Sequence, residues 1–375
     1  MIILARSNSI VKDSRVLKYV KYMQDNDVDY YLLGWNRRSE PVDLNRACFF
    51  KRKSGYNVGG FKAAWHRCLW IIFCLKCFIH YKPDVIHGCD LDSAFPAVLY
   101  KLLFRRKVKI IFDIFDWFSA TLWNQGTVLT NIFRKMEYLT TKYADYIFIC
   151  EKERLSQIPY DVTSKLFVLP NIPLVGDEKA FKYIDENKSF SNDNITISYV
   201  GGLYGERFLS ELLDLADEGE FNLLIAGYGD KGLEDRCLSL NNRGNIKYFG
   251  AVSYEKGLNI MYNSDVIFAM YCKSNPNHIY AAPNKFYEAM LLGKPLITTV
   301  GTIVGDKVVK ENIGFAIEED VSDLKKLVKS LNRDAGQLKT KGGNAYNLWN
   351  SKYHNFTSDF LNYSYNEICK YTISH

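Results

Sequence analysis

The sequence lacks an apolar run long enough to cross a lipid bilayer, which takes about 20 residues. The nearest stretch, 61–81, is broken by Lys62, Arg67 and Lys76. A secretory leader is not recognisable either, because Met1–Ala5 is typical of a first β-strand. We therefore expect a cytoplasmic protein, bound at most peripherally to the inner face of the plasma membrane.

Metal-binding and disulfide patterns are also missing. The nine cysteines are scattered, and only Cys74 and Cys77 have the C-x-x-C spacing. No second pair and no nearby histidine completes a zinc site. Both cysteines fall in an apolar stretch, so buried thiols in a reducing compartment are expected. The prediction is that the protein holds no metal and no cofactor.

The composition is that of a folded protein, with 47% hydrophobic and 24% charged residues in 375. This length suits two domains. The charge is uneven: residues 1–172 carry 26 Lys and Arg against 16 Asp and Glu, whereas residues 173–375 carry 22 against 26. A basic half suggests an anionic partner, either nucleic acid or a membrane surface. The basic residues follow no nucleic-acid-binding motif, which favours the membrane.

Short apolar segments alternate with helical patterns, which predicts an α/β fold with parallel sheets covered on both faces. The alternation stops at a polar stretch, 173–194, and then resumes, so two doubly wound units are expected. We place the first domain at 1–172 and the second at 173–354, with a helix over about 355–375 returning to the first. The predicted strands are Met1–Ala5, Val28–Gly34, Asp84–His87, Val108–Asp113, Asp145–Cys150, Ile195–Val200, Phe221–Ala226, Asn245–Phe249, Asp265–Met270, Pro295–Thr299 and Gly314–Ile317.

The helix predicted near 61–80 has two interpretations. It is rich in tryptophan and basic residues, which is typical of helices that lie in a membrane interface. It is equally compatible with a core helix of the first domain. The basic triplets 51–53 and 105–107 would add electrostatic attraction to an anionic surface.

Glycine-rich loops follow three strands of the second half. Glycines at the carboxyl end of a strand let backbone N–H groups approach a phosphate, and a following helix N-terminus adds positive potential. Ligands of doubly wound sheets bind at this edge. We therefore predict phosphate contacts at the first loop, a second contact at the next, and a nucleobase contact at the third. The residues concerned are Gly201, Gly202 and Arg207, then Gly227 and Tyr228, then Gly250 and Val252.

The segment Pro283–Ile297 is the most specific in the chain. A helix is predicted to begin near Asn284 and to end at Gly293, a residue type favoured just beyond helix ends. Lys285 and Glu288 share one face of its first turn. A cation there suits a phosphate and a carboxylate suits a ribose diol, although an ordinary surface ion pair has the same spacing.

Read as K-F-Y-E-A-M-L-L-G-K-P-L-I, residues 285–297 resemble the donor-site helix of retaining glycosyltransferases of family 4, the glycosyl transferases group 1. Other segments follow in that family's order, and the resemblance spans nearly the whole chain. It implies a GT-B fold, with two Rossmann-like domains facing across a cleft, and catalysis without a metal. The other segments are Asp13–Val16, Pro83–His87, Asp90–Asp92, Phe112–Asp116, Leu169–Asn171, Gly201–Gly202 and Ala226–Gly229.

The resemblance also implies roles for individual residues. The donor would be a UDP- or GDP-linked sugar, and the acceptor a saccharide or a polyprenyl-diphosphate-linked saccharide in capsule, exopolysaccharide or O-antigen assembly. Asp116, Arg207 and Lys285 are the candidate catalytic residues. Donor-binding candidates add Asn284 and Glu288 to the glycine loops, and acceptor-side candidates are Asn8, Asp13, Arg15, His87 and Asp90.

Several features depart from the family pattern. The family often has a second Glu eight residues before Glu288, where this chain has Tyr280, and often a His where it has Phe115. A nucleotide-sugar epimerase of the same fold and a non-catalytic partner subunit therefore remain alternatives. Asp90-Leu91-Asp92 also matches the metal–diphosphate triplet of the GT-A fold. Here we interpret it instead as the cap of a helix that begins near Ser93.

Overall fold

The computed structural model describes residues 1–8, 10, 13–37, 46–53, 61–122, 127–173, 190, 193–241 and 243–370. It forms two compact units. Unit 1 comprises Met1–Pro170 and Thr357–His375, and unit 2 comprises Asn171–Phe356. The sequence predicted the domain boundary between residues 172 and 173, and the structure places it between residues 170 and 171. Most of the expected linker, 173–194, lies outside the described residues.

Unit 1 is built on a seven-stranded parallel sheet in the order β3-β2-β1-β4-β5-β6-β7. Five of its strands match predicted ones. The short strands β3 and β7 at the two sheet edges were not predicted, because their three or four residues have no clear alternation. The elements are β1 Ile2–Arg6, α1 Ser14–Asp25, β2 Tyr30–Trp35, β3 Ala47–Phe50, α2 Phe61–Tyr81, β4 Val85–Cys89, α3 Leu91–Leu103, β5 Lys109–Ile114, α4 Thr127–Tyr143, β6 Tyr146–Ile149 and β7 Leu166–Val168.

Unit 2 has a six-stranded parallel sheet in the order β10-β9-β8-β11-β12-β13. All six strands match predicted ones, and no strand end differs from its prediction by more than two residues. The elements are β8 Thr196–Val200, α5 Leu209–Asp217, β9 Asn222–Ala226, α6 Lys231–Leu240, β10 Ile246–Tyr248, α7 Tyr254–Tyr262, β11 Val266–Phe268, α8 Asn284–Leu291, β12 Leu296–Thr299, α9 Ile303–Lys310, β13 Gly314–Ile317, α10 Val321–Arg333 and α11 Gly336–Leu348.

The chain returns to unit 1 through a segment of short helical turns. These are α12 Phe356–Phe360, a π-helical turn at Leu361–Tyr365 and α13 Asn366–Lys370. The Phe360 ring packs edge-on against Phe148 of β6, with centroids 5.3 Å apart. The Tyr365 hydroxyl lies 3.0 Å from Nδ1 of His87 in β4. The predicted return of the C-terminal helix is therefore present within unit 1.

A buried ionic network lies at the centre of unit 1. Nη2 of Arg15 in α1 donates to Asp113 in β5 over 2.7 Å, and the Tyr19 hydroxyl donates to the same carboxylate over 2.8 Å. Arg15 also donates to the carbonyl oxygen of Leu169, just before the chain leaves the unit, and Nε2 of His87 lies 3.3 Å from Asp113. Burial opposes ionisation, but Arg15 and His87 hold the pKa of Asp113 below its usual range. The network thus connects α1, the central strands of the sheet, the end of the first segment of unit 1 and the returning C-terminal segment.

Helix α2 contributes to the core of unit 1. Trp70, Cys74 and Phe78 are fully buried, which confirms the core-helix interpretation and the buried thiol at Cys74. The opposite side of the helix exposes Trp65 and Ile72. Among the described residues, no helix combines the length and hydrophobicity required to span a bilayer.

We expect Arg15→Met to lower the free energy of unfolding by about 3–5 kcal/mol, because Asp113 would stay buried without its cation. The depressed pKa of Asp113 means that its contribution is present at neutral pH and is lost as the pH falls below about 4. Urea denaturation as a function of pH measures both effects. Arg236→Met, which breaks the exposed pair with Asp214, is the matched control and should cost less than about 1 kcal/mol. Equal losses would contradict the prediction.

Candidate functional site

Three glycines form a row at the carboxyl ends of adjacent strands of unit 2. Gly201 follows β8, Gly227 follows β9 and Gly250 follows β10. The Gly201 N–H donates to Ala226 O over 3.0 Å, and the Gly227 N–H donates to Gly250 O over 2.8 Å. The three predicted loops therefore continue the sheet and meet at one edge. This edge lies where the strand order reverses around β8, the position at which doubly wound sheets bind ligands.

The row depends on the absence of side chains. A Cβ on Gly227 would lie 1.7 Å from the carbonyl oxygen of Gly201, and the Gly227 φ of +145° disfavours other residues. The Tyr199 hydroxyl donates to Gly202 O over 2.5 Å and holds the first loop in place. The backbone at this edge is thus open to a closely bound ligand.

Lys285 and Arg207 bring two positive charges to the same loops. Lys285, in the first turn of α8, is so close to the loop backbone that a Cβ on Gly201 would lie 2.6 Å from its Nζ. Arg207 lies in the short helical turn Gly205–Arg207 after β8. Both side chains are half-buried. Burial, assisted by repulsion from Arg207 and opposed by Glu288, lowers the pKa of Lys285 to about 8.

Aromatic rings rather than carboxylates support these cations. Nζ of Lys285 lies 4.9 Å from the centroid of the Tyr199 ring, and the Arg207 guanidinium lies 4.2 Å from that of Tyr271. Nη1 of Arg207 is buried and has no hydrogen-bond partner in the described part of the chain. The sequence analysis missed both tyrosines, although each stands at or just beyond the end of a predicted strand.

Glu288 is buried one turn after Lys285 on α8. Its carboxylate accepts a hydrogen bond from the hydroxyl of Tyr254, the first residue of α7. Desolvation and the neighbouring carboxylate raise the pKa of Tyr254, so this phenol stays protonated as a donor. The predicted carboxylate therefore does lie beside the predicted cation, and α7 supplies an unpredicted partner.

Among the described residues, Lys285 and Arg207 form no salt bridge with a carboxylate. Two half-buried cations beside glycines that leave room for a ligand form a candidate anion site. A diphosphate would replace water around Lys285 and Arg207 and would supply the missing acceptors for Nη1. The remaining donor-side candidates surround these two residues in the chain: Asn284 precedes Lys285 on α8, Tyr228 is exposed beside Gly227, and Val252 packs partly into the core near β9.

A second polar cluster lies at the carboxyl edge of the unit 1 sheet. Nε of Arg6, the last residue of β1, donates to Asp13 over 2.9 Å, and Nη1 pairs with Asp90. Asp90 follows β4 with a φ of +62°, a left-handed conformation that costs energy in a residue other than glycine. Burial raises the pKa of Asp90 to about 6. The positive charge of Arg6 opposes this rise, and the negative charges of Asp116 and Asp92 add to it.

The predicted helix cap at Asp90 is wrong. Helix α3 begins at Leu91, but the Asp90 side chain makes no capping hydrogen bond to it. Instead Oδ1 of Asp90 accepts from the backbone N–H of Phe115 over 2.9 Å and of Asp116 over 3.3 Å. Asp92 is buried and leaves an unpaired Oδ1 within the described residues. The loop after β5 thus competes successfully with the helix terminus for this carboxylate.

Asp116 is the most accessible acid of this cluster, with 54% of its side chain exposed. Its Oδ1 lies 3.2 Å from Nη2 of the buried Arg154, which also donates to Phe115 O. Arg6 and Arg154, which the sequence analysis did not single out, therefore position the loop that carries Asp116.

The other acceptor-side candidates separate into two environments. Asn8 is partly exposed beyond β1, and Asp13 caps α1 beside Arg6. Arg15 and His87 are buried, and both ring nitrogens of His87 face partners, Tyr365 and Asp113. Their polar atoms thus contact the internal network, and the acceptor contact of these two side chains stays a prediction.

His87, Cys89 and Asp113 place three potential metal ligands within 4.8 Å of one another. Arg15 and Tyr19 already occupy the Asp113 carboxylate, and burial raises the pKa of the Cys89 thiol. A cation would have to displace the Arg15 guanidinium, so the group fits an ion-pair network better than a metal centre.

The unit 2 site lies inside a recognisable domain. Residues 181–347 match the family described as glycosyl transferases group 1. This match lies within unit 2 and covers less than half of the chain. No curated protein sequence matches it. The family match includes the glycine row, Arg207, Lys285 and Glu288.

Solved structures share the fold of this chain at low sequence identity. Sucrose-phosphate synthase from Thermosynechococcus elongatus has a TM-score of 0.72 at 13% identity, and 98% of each chain is covered. WaaG, a glycosyltransferase involved in lipopolysaccharide biosynthesis, has a TM-score of 0.68 at 12% identity, and 100% of each chain is covered. Anabaena HepE in complex with UDP and glucose has a TM-score of 0.68 at 12% identity, and 98% of each chain is covered. The two Rossmann-like units are therefore those of the GT-B fold.

We expect Gly227→Ala to weaken nucleotide binding at least about tenfold, because its Cβ would force the Gly201 carbonyl out of the row. Gly205→Ala is the matched control, since no atom lies within 4 Å of the added Cβ. Calorimetric titration with UDP and GDP, together with melting temperatures, compares the two variants. Equal affinities would show that the row does not contact the ligand.

We expect nucleotide affinity to fall as the pH rises through about 8, because an anion binds the protonated form of Lys285. Above that pH the loss should approach about tenfold per unit. Titrations at pH 7–10, in buffers of different ionisation enthalpy, would detect the accompanying proton uptake. Lys285→Arg keeps its charge throughout and should remove this dependence. An unchanged slope in that variant would assign the titration to another group.

Proposed function

We propose that the protein transfers a sugar, with retention of anomeric configuration, from a UDP- or GDP-linked donor to a saccharide or lipid-linked saccharide. The observation that carries the proposal is the pair of cations, Lys285 and Arg207, at the glycine row of a segment that matches the group 1 family. Neither forms a salt bridge with a carboxylate among the described residues. The natural setting for such an acceptor is cell-surface polysaccharide assembly.

Each part of the donor has a counterpart in unit 2. Lys285 and Arg207 neutralise the diphosphate, and the amide of Gly202 lies beside them, whereas the Gly201 N–H donates to Ala226 O. Glu288 accepts hydrogen bonds from the ribose diol, and the loop at Gly250 meets the base. Two fixed cations bring the charge of one divalent ion, which is why we propose that the transfer needs no metal.

The reaction breaks the bond between the anomeric carbon and the β-phosphate oxygen and forms a bond from that carbon to an acceptor hydroxyl oxygen. The hydroxyl proton passes to the departing diphosphate. Developing negative charge on the leaving group is stabilised by Lys285 and Arg207. Glu288 is engaged by Tyr254 and Tyr280 replaces the second family Glu, so we favour front-face departure over a carboxylate nucleophile.

Unit 1 is proposed to take the acceptor at the cluster around Asp90 and Asp116. The raised pKa of Asp90 and its left-handed backbone are features typical of functional sites. Asp116 is our candidate for contact with the reacting sugar, because its exposed carboxylate is held from behind by Arg154.

An epimerase is the second candidate, because a UDP-N-acetylglucosamine 2-epimerase shares the fold with a TM-score of 0.61 at 13% identity over 97% of each chain. The group 1 family match favours transfer instead. An epimerase would convert the donor sugar with no acceptor present, which product analysis distinguishes.

Calorimetric titration with UDP, GDP and their sugars, with and without EDTA, tests the donor site. We expect one nucleotide to bind equally well with EDTA, and Glu288→Gln to weaken it about tenfold or more. Removal of the 2′-hydroxyl from the ligand should reduce the cost of that substitution if Glu288 holds the ribose.

Tyr254→Phe is the matched variant, because it keeps the ring and removes only the donor to Glu288. It should have a smaller effect than Glu288→Gln. Failure of every nucleotide to bind would overturn the proposal and leave a non-catalytic partner subunit as the better interpretation.

A further inference from the structure

The loop between β11 and α8 carries a buried histidine that the sequence analysis did not single out. His278 is 7% exposed and lies in the short helical turn Pro276–Tyr280. The turn is defined locally, because the Asn275 side chain accepts from the Asn277 N–H over 3.1 Å and Pro276 restricts its own φ. Burial of an imidazole is unfavourable unless its nitrogens find partners. The partners of the two ring nitrogens therefore indicate its role.

One ring nitrogen begins a series of hydrogen bonds that ends at the peptide before Arg207. Nδ1 of His278 lies 2.9 Å from the carbonyl oxygen of Cys272, and because a carbonyl oxygen only accepts, Nδ1 carries the proton. The Cys272 N–H in turn donates to Glu206 O over 3.0 Å. That oxygen belongs to the peptide bond between Glu206 and Arg207. A displaced imidazole would therefore release the backbone from which the Arg207 side chain extends.

The second ring nitrogen faces the side chain of Glu206. Nε2 of His278 lies 3.5 Å from Oε2 of Glu206, and the Asn275 amide donates to the same oxygen over 3.2 Å. The Glu206 carboxylate is 56% exposed, so each of these contacts contributes little alone. Together they hold the residue that precedes Arg207. We call the residues that contact Glu206 the loop clasp: Cys272, Asn275 and His278.

His278 also supports the aromatic ring beneath Arg207. The rings of Tyr271 and His278 meet edge to face, with centroids 5.7 Å apart. The Arg207 guanidinium lies 4.2 Å from the centroid of the same Tyr271 ring. Tyr271 is buried, so close packing limits its movement away from either neighbour. One imidazole thus supports both the backbone and the side chain of Arg207.

Arg207 depends on such support because no carboxylate holds it. It forms no salt bridge in the described part of the chain, and its Nη1 is buried there without a hydrogen-bond partner. A long side chain loses rotamer freedom when it is fixed, so an arginine held in advance binds an anion at lower entropic cost. The loop that supplies the clasp also leads into α8, which carries Lys285. The clasp therefore connects the segments that bear the two cations.

We propose that His278 is a positioning residue that fixes Arg207 for binding a diphosphate group. The inference rests on the proposed function, because that function assigns the diphosphate to Arg207. A histidine that only filled the loop would affect anion binding equally with and without the arginine. A positioning histidine acts through Arg207, so its effect should disappear when that side chain is removed.

A double-mutant cycle on the whole chain tests this dependence, with inorganic diphosphate as the calorimetric probe because it has neither base nor sugar. We expect His278→Ala to lower the affinity about fivefold to tenfold, and Arg207→Met to lower it at least about tenfold. In the Arg207→Met background, the additional effect of His278→Ala should be less than about twofold. All titrations are made well below the lowest melting temperature of the four proteins, so that every variant is folded.

His278→Asn and His278→Gln separate the two ring nitrogens. The amide nitrogen of an asparagine can take the place of Nδ1, whereas that of a glutamine can take the place of Nε2. His278→Asn should keep the hydrogen bond to Cys272 O and stay within about twofold of the wild-type affinity. His278→Gln should lose that bond and bind as weakly as His278→Ala. His354→Ala removes an exposed histidine of unit 2 and is the matched control, with an expected change below about twofold.

Equal effects of His278→Ala in the two backgrounds would refute the positioning role, and so would wild-type affinity in His278→Gln. Parallel titrations with UDP and GDP distinguish this failure from failure of the proposed function. If diphosphate binds and neither nucleotide does, the proposed donor site is wrong, while the cycle still decides the role of His278. If none of the three ligands binds, both proposals are wrong.

Discussion

In a parallel sheet every strand ends at the same edge, and this constraint determines where chemistry can be assembled in both units. In unit 2 it aligns Gly201, Gly227 and Gly250, because β8, β9 and β10 are neighbours in the sheet. In unit 1 it gathers Arg6, Asp90 and the loop that carries Asp116 at the ends of β1, β4 and β5. The residue types differ between the two units, but in both units their positions follow from this shared geometry.

Two positive charges lie close together in the unit 2 site, and an anionic ligand would reduce their repulsion. Lys285 and Arg207 repel each other and are half-buried, and tyrosine rings give them weaker support than carboxylates would. The diphosphate that we propose as ligand would supply negative charge there. The lowered pKa of Lys285 follows from this arrangement, and it would couple binding of an anion to proton uptake.

Unit 1 separates an internal polar system from an external apolar one. Inside, the Arg15–Asp113 pair joins α1, β5, the exit at Leu169 and the returning segment at Tyr365. Outside, the C-terminal end of α3 leaves Leu103 and Phe104 in solvent. This division explains the basic N-terminal half: part of its charge neutralises buried carboxylates, and part lies on the surface.

The sequence by itself determined the two-unit α/β fold, nearly all strands, and the positions of Gly201, Arg207, Lys285 and Glu288, the proposed donor-side residues. These follow from local apolar periodicity and from short motifs whose spacing is fixed within one loop or helix turn. Only the tertiary structure decided that Tyr271 supports Arg207, that Asp90 binds the loop after β5 instead of capping α3, and that His87 is internal. Such contacts join residues far apart in the chain, and hydrogen-bond competition and burial are settled only when the elements pack.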